Sequence, residues 1–289
     1  MTTQLLFFVF NGLIVGAFYA LMALGLSLIL NLSGVINFAH GGFLALGGYV
    51  AYTLTPFIGF WASLLLSPVI VALLGIVIEK LMIQRLYGRD PLYSLLLTFG
   101  LAFVIQDGTR WWWGATGLPF TVPTVLSQPL SNEFFFITGY RVFMVAMVVI
   151  AVGALFLFLR YSRMGVRIRA GTLDLDTVST LGVNVRTLRT FNFGLGIFLA
   201  GFAGVLAGGQ VSLLPTMGDP LLMPSFIAII VGGVGSLPGT LLGGLLIGVA
   251  AGITTVFFPS ASEAVIYVLM AVVLLIRPRG LLGEEGMLT

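Results

Sequence analysis

Long apolar stretches, separated by short polar or glycine-rich intervals, run the length of the chain. The first, Leu5 to Leu30, has no charge over about 26 residues, enough for a helix to cross the hydrocarbon core with tilt. No basic residue precedes it, so it reads as a retained helix and not as a signal peptide. Phe60–Met82, Leu92–Trp113, Val142–Arg160, Phe191–Leu214 and Leu241–Phe258 predict further spans, and Ala264–Ile276 a shorter one. The Leu92 stretch ends in Trp111, Trp112 and Trp113, as an interfacial aromatic belt would. Two segments are less regular. Asn31–Thr55 opens on a polar run through Ser33, Gly34 and Asn37 before it turns apolar. Leu221–Gly235 is short for a straight span, follows Pro220, contains Pro224 and ends in the turn signal Gly235-Ser236-Leu237-Pro238-Gly239.

Charge fixes the threading. Eleven of the 13 Lys and Arg fall into three intervals: Lys80, Arg85 and Arg89; Arg160, Arg163, Arg167, Arg169, Arg186 and Arg189; Arg277 and Arg279. The positive-inside rule puts these in the cytoplasm. Arg110 and Arg141 lie in a segment with Asp107 and Glu133, and the 114–141 loop falls outside. The prediction is an all-α polytopic membrane protein of about eight or nine transmembrane segments, N-terminus outside and C-terminus in the cytoplasm. The whole of 1–289 forms a single transmembrane domain. The segments before and after the fifth run in opposite senses, each set with an interrupted element in second place. That predicts an inverted repeat, with halves 5–113 and 190–277, in which broken helices mark a pathway.

Composition agrees with a lipid environment. Residues are 59% hydrophobic and 8% charged, against about 25% charged in a soluble domain. The 38 glycines suit helices packed backbone to backbone. The absence of cysteine excludes disulfides, thiolate metal sites and thiol catalysis. A net charge of +3 is too small for a nucleic-acid footprint.

Three segments can carry chemistry. Gly34 to Gly42 holds the single histidine of the chain. Polar side chains are costly in hydrocarbon, so Asn37 and His40, spaced as on one helix face, should meet protein or a wet path. They read either as a pathway joint with Gly41 or as a helix start capped by Asn37. No partner at ligand spacing makes His40 a metal site. The second segment, 161–189, joins a basic stretch to a short helix with Asp174 and Asp176 at its start and Gly182 as its stop. Leu173, Leu175, Val178 and Leu181 form its expected apolar ridge. The third, from Asp219 to Gly244, has Met223, Ser225 and Gly232 in a bent, small-residue stretch. It is no phosphate loop, because Lys80 is the one lysine of the chain. Asn37, His40, Gly41, Met223, Ser225 and Gly232 are therefore the pathway candidates, with few polar groups and no fixed charge expected beside them. Glu79, Asp107 and Glu263 lie near span ends, which leaves little for ion coupling. No nucleophile–base pair or metal cluster points to an enzyme.

Gly12 to Tyr49, including Ile36-Asn37-Phe38-Ala39-His40-Gly41, resembles the N-terminal signature of branched-chain amino acid ABC-transporter permeases of the LivH type. Gly165 to Asn184 is similar to that family's cytoplasmic coupling segment. Ala228 to Gly239 and Arg277-Pro278-Arg279-Gly280-Leu281 resemble its C-terminal signatures. Val178-Ser179 and Gly42 depart from the family pattern, where Ala-Ala and an acidic residue are common. The resemblance implies half of an importer pathway for branched-chain or other hydrophobic amino acids in a bacterial inner membrane. It implies as partners a second related permease, two cytoplasmic ATPase subunits that use the ATP, and a periplasmic binding protein. This chain itself would hold no cofactor. Gly165, Arg167, Arg169, Ala170, Asp176, Leu181 and Gly182 would form the ATPase contact. The alternative from another class is a self-sufficient secondary transporter or channel for a small solute.

Overall fold

A computed structural model describes residues 2–132 and 135–283; Glu133 lies outside them. In chain order the helices are α1 (Thr2–Ser33), α2 (His40–Leu81), α3 (Pro91–Trp113), the short α4 (Thr124–Ser127), α5 (Gly139–Tyr161), α6 (Arg163–Leu173), α7 (Leu175–Thr180), α8 (Val185–Gly208), α9 (Asp219–Gly232), α10 (Leu237–Phe257) and α11 (Ala264–Ile276). Two single-turn 3-10 helices, Ile83–Leu86 and Pro259–Ala261, lie between them. Six helices are long and apolar enough to cross a membrane: α1, α2, α3, α5, α8 and α10. α9 and α11 are apolar but shorter. The 114–141 interval, read as loop, contains an antiparallel hairpin of β1 (Pro129–Asn132) and β2 (Phe135–Thr138), with Pro129 opposite Thr138.

The expected break between the first two spans is sharper than the sequence implied. α1 runs on to Ser33 and stops at Gly34, whose φ of 65° is the left-handed value that ends helices. α2 then runs 42 residues, about 63 Å at 1.5 Å per residue. That is twice the ~30 Å hydrocarbon core, so it cannot be one straight span. Gly59 (φ 78°, ψ 166°), three residues after Pro56, divides it into arms 40–58 and 60–81. The two segments expected there are thus arms of one interrupted helix. α8 starts before the expected Phe191, because the Asn184 side chain accepts the Thr187 N–H at 3.1 Å and caps it. Its first turns carry Arg186 and Arg189, which a hydropathy window counts as loop.

The chain forms two compact units, each drawing on both of the halves read from the sequence. One comprises 1–27, 122–148 and 220–289. In it, Gly12, Gly16 and Ala20 of α1 meet Gly244, Gly248 and Gly252 of α10, each set spaced by four. A Cβ on Gly244 would lie 2.6 Å from Ala20 Cα, so the two backbones touch. This is the small-residue packing that lets helices associate in lipid, where apolar burial gives no drive. The Thr240 hydroxyl, 3.3 Å from that of Ser27, closes the ladder. After α11 the chain returns to α9. Leu281 N–H donates to Val231 O and Leu282 N–H to Gly232 O, both at 2.9 Å, satisfying carbonyls at the helix end.

The other unit comprises 28–121 and 149–219. Its centre is α8, most of it buried. Both arms of α2 pack on it: Gly47 against Gly201 and Gly204 against Leu44 O on one side, and Gly194 beside Ile76 and Gly75 beside Ile197 on the other. Leu118 and Leu213 exchange backbone hydrogen bonds of 3.1 and 2.9 Å, and the Tyr49 hydroxyl donates to Leu213 O at 3.1 Å. These tie the loop after α3 to the segment before α9.

Candidate pathway and coupling segments

The six residues between α1 and α2 would leave polar backbone in an apolar setting. α3 supplies the remedy. Thr98 Oγ1 accepts the Phe38 N–H at 3.2 Å, and its own proton has Ile36 O at 3.0 Å or Leu95 O at 3.1 Å. A break at membrane depth is tolerated when its groups are satisfied in this way. Asn37 is fully buried and outside the helix; its side-chain oxygen accepts the Ala39 N–H at 3.1 Å. The spacing of three from His40 therefore does not put the two on one helical face, since α2 begins only at His40. The Asn37 amide nitrogen is buried and has no hydrogen-bond partner among the described residues. His40 is fully buried. Gly41 is pressed against the chain before α9: a Cβ there would lie 3.1 Å from Gly218 O and 3.6 Å from Asp219 N.

That contact corrects one expectation. An acidic residue does stand next in the chain to this contact, because Asp219 follows Gly218 directly. Its carboxylate receives Gln106 Nε2 at 2.9 and 3.1 Å. Gln106 is buried, as are Ser94, Thr98 and Thr109 of the same helix. Sequence reasoning passed over Thr98 and Gln106. The available signal was a polar stripe inside an otherwise apolar span.

The other three pathway candidates belong to the first unit. Met223 is 45% exposed on α9. Ser225 is buried and donates its hydroxyl to Leu221 O at 2.6 Å, inside its own helix near Pro224. Gly232 is buried against the backbone of Gly239 and Thr240, at the tight end of the α9–α10 hairpin. Ser236 caps α10 by accepting Gly239 N–H at 3.1 Å.

The coupling segment is more helical than expected, because its basic stretch is itself α6. Ser162 Oγ accepts the Gly165 N–H at 2.8 Å, capping α6. Gly165 is buried where a side chain would strike Phe158 and Leu159 of α5. Arg167 and Arg169 are exposed and Ala170 half-buried. Asp174 caps α7, accepting the Thr177 N–H at 3.0 Å and the Thr177 hydroxyl. The hydroxyl first, and then the N–H, hold the Asp174 carboxyl below the usual carboxylate range. Asp176 is exposed in the first turn, and Gly182, at φ 82°, ends the segment. The expected ridge splits: Val178 is buried, while Leu173 and Leu181 are 74% and 76% exposed.

The family described as "Branched-chain amino acid transport system / permease component" matches residues 8–275. The Escherichia coli K12 protein named high-affinity branched-chain amino acid transport system permease protein LivH is 31% identical, with 98% of each chain covered. The Pseudomonas aeruginosa permease BraD, named for the same system, is 31% identical over 95% of this chain and 94% of its own. LivM of Escherichia coli, a second permease of that named system, is 26% identical over 91% of this chain and 67% of its own.

Proposed function

Since the chain belongs to the family of branched-chain amino acid transport permease components, we propose that it is one membrane half of an ATP-driven importer for branched-chain or other hydrophobic amino acids. It is a multi-pass membrane transport subunit, not an enzyme. In this proposal it lies in a bacterial inner membrane, with the N-terminus outside and the C-terminus in the cytoplasm. Counting the arms of α2 separately and including α9 and α11, the chain crosses nine times. A related permease completes the pathway, two ATPase subunits bind from the cytoplasm, and a binding protein delivers substrate from the periplasm.

The observation that carries this reading is the α6–α7 segment. It is capped at both helix starts, rich in arginine, and exposes Leu173 and Leu181. Arginines alone would suit anionic headgroups. Ordered leucines on a polar, water-facing segment suit a protein partner. Arg167, Arg169, Ala170, Asp176, Leu181 and Gly182 form this docking surface, and Gly165 beneath it lets α6 pack closely on α5. Asn37, His40 and Gly41 of one unit, and separately Met223, Ser225 and Gly232 of the other, are the proposed pathway residues, with weak substrate contact while the binding protein sets selectivity.

The test uses the reconstituted complex. Opposite charge at Asp176 or a bulky polar residue at Leu181 should lower substrate-stimulated ATP hydrolysis without loss of membrane insertion. Unchanged coupling in an assembled complex would overturn the docking surface. The chain lacks cysteine, so single cysteines at Asn37, His40, Ser225 and Gly232 label cleanly. If a water-soluble thiol reagent reaches none of them in any nucleotide state, the path runs elsewhere. Ion-driven uptake by the purified chain alone in liposomes would replace the ATP-driven reading with that of a secondary transporter.

A further inference from the structure

Glu79, noted in the sequence only as an acid near a span end, is fully buried in the last turns of α2. Its two carboxylate oxygens are divided between two elements. Oε1 accepts the Tyr87 hydroxyl at 2.7 Å, from the turn that follows the 3-10 helix. Oε2 accepts the Thr190 hydroxyl at 2.7 Å, from the second turn of α8. The Arg189 guanidinium lies 4.6 Å over the Tyr87 ring and brings positive charge to the cluster. Burial, and then the hydrogen bond to Glu79 and its charge, raise the Tyr87 hydroxyl above its ordinary range, so that it remains a donor. Two residues on, Asn192 Nδ2 donates to Leu28 O, binding α8 to α1 as well.

The position of this cluster gives it a task. The glycine contacts between α2 and α8, such as Gly47 on Gly201 and Gly75 on Ile197, carry no directional bond to set the register of the two helices in lipid. Thr190 lies close to the capped start of α8, just after the coupling segment. Val183 N–H donates to Val178 O at 3.4 Å, and the methyls of Leu32 and Leu188 lie 2.9 and 3.3 Å from the Cβ position of Gly171. α6, α7 and the start of α8 are therefore packed as one body. A buried carboxyl group is costly unless its hydrogen bonds are made, and an apolar residue of similar volume would serve packing alone at least as well. The two 2.7 Å hydroxyl bonds to Glu79 are, however, directional, and they set a register that packing leaves open.

We infer that Glu79 is a positioning residue for transport, fastening α8 and the coupling segment before it to α2, so that a displacement of α6 and α7 carries α2 with it. The inference rests on the reading of α6–α7 as the ATPase contact. The test is the number of substrate molecules moved per ATP hydrolysed by the complete complex in liposomes, for Thr190→Val, Tyr87→Phe, their double variant, Glu79→Ala and Glu79→Gln. Each hydroxyl variant should lower the ratio by about fivefold or more, the low end of ordinary coupling free energies. The double variant should lower the ratio at least as far as Glu79→Ala, because it deletes the same two bonds and also leaves the carboxyl group buried without these donors, and Glu79→Gln should recover part of the loss. If Glu79→Ala does not assemble, the hydroxyl variants decide. Ratios within about twofold of the parent, the scatter of independent sites, would overturn the inference where α7 variants still uncouple. A merely structural bond would lower yield and leave the ratio of assembled complexes intact, which also overturns it. If α7 variants do not uncouple either, the docking reading falls and this one with it.

Discussion

The α1–α10 ladder makes a quantitative prediction for Gly244→Ala. The added Cβ would stand 2.6 Å from Ala20 Cα and N and 2.8 Å from Ala20 Cβ. Ordinary contact begins at 3.4 Å, so the site is too tight by about 0.8 Å. The obstacle is helix backbone, which cannot rotate aside as a flexible side chain would. α1 and α10 must separate, and separation loosens Gly12, Gly16, Gly248 and Gly252 together. Overpacking costs about 1–3 kcal/mol. The better helix propensity of alanine returns at most about 1 kcal/mol.

The control is Gly153→Ala on α5, where a Cβ meets nothing within 4 Å and φ is not positive. There only the propensity gain applies. Thermal unfolding of the detergent-solubilised protein should drop by several degrees for Gly244→Ala, at about 2–4 °C per kcal/mol, and stay level or rise for Gly153→Ala. Equal midpoints for the two variants would refute the claim that this interface is set by backbone contact.

Thr98→Val removes the acceptor of Phe38 N–H and should cost about 1–3 kcal/mol, with faster exchange at the Phe38 amide; parent-like exchange counts against it. Gly280→Ala should free residues 277–283 from α9, because its Cβ would lie 2.6 Å from Gly233 Cα at a φ of 79°. Exchange at Leu281 and Leu282 should then speed up by about fivefold or more, at the 1–3 kcal/mol typical of strained positions. Asp174 has a lowered folded pKa, so its capping contribution is complete above the ordinary carboxylate range and fades as pH falls through the lowered value. Protection of the Thr177 amide should follow that course in the parent and be flat in Asp174→Asn; parallel profiles would contradict the cap.

Hydropathy found the spanning helices because lipid imposes one rule on every residue of a span. It misplaced what one residue decides. Gly34 and Gly59 work through φ, which composition does not report. Asn184 moves the start of α8 into a run of arginines that reads as loop, and Ser162 turns the basic stretch into a helix in the same way. The glycine count predicted close packing, yet the pairing of Gly12, Gly16 and Ala20 with Gly244, Gly248 and Gly252 depends on which helices meet. Their shared spacing of four was visible. Their partnership was not.

Polar groups show the same divide more sharply. In the sequence, Glu79 and Asp219 are acids near the ends of apolar runs, where an acid normally needs no explanation because water is close. Each instead receives a neutral donor from another element: Gln106 reaches Asp219 across more than a hundred residues of chain, and Thr190 reaches Glu79 across a similar gap. Neither donor is remarkable alone, since Thr and Gln are tolerated inside spans when their hydrogen bonds are made. Meaning arises only when donor and acceptor are placed together, and α8 and α3 do the placing. Both acids are in the unit that also holds the break at Asn37 and the α6–α7 segment. These two acids thus share a unit with the polar break and the capped α6–α7 helices, whereas the α1–α10 glycine ladder of the other unit carries no charged side chain.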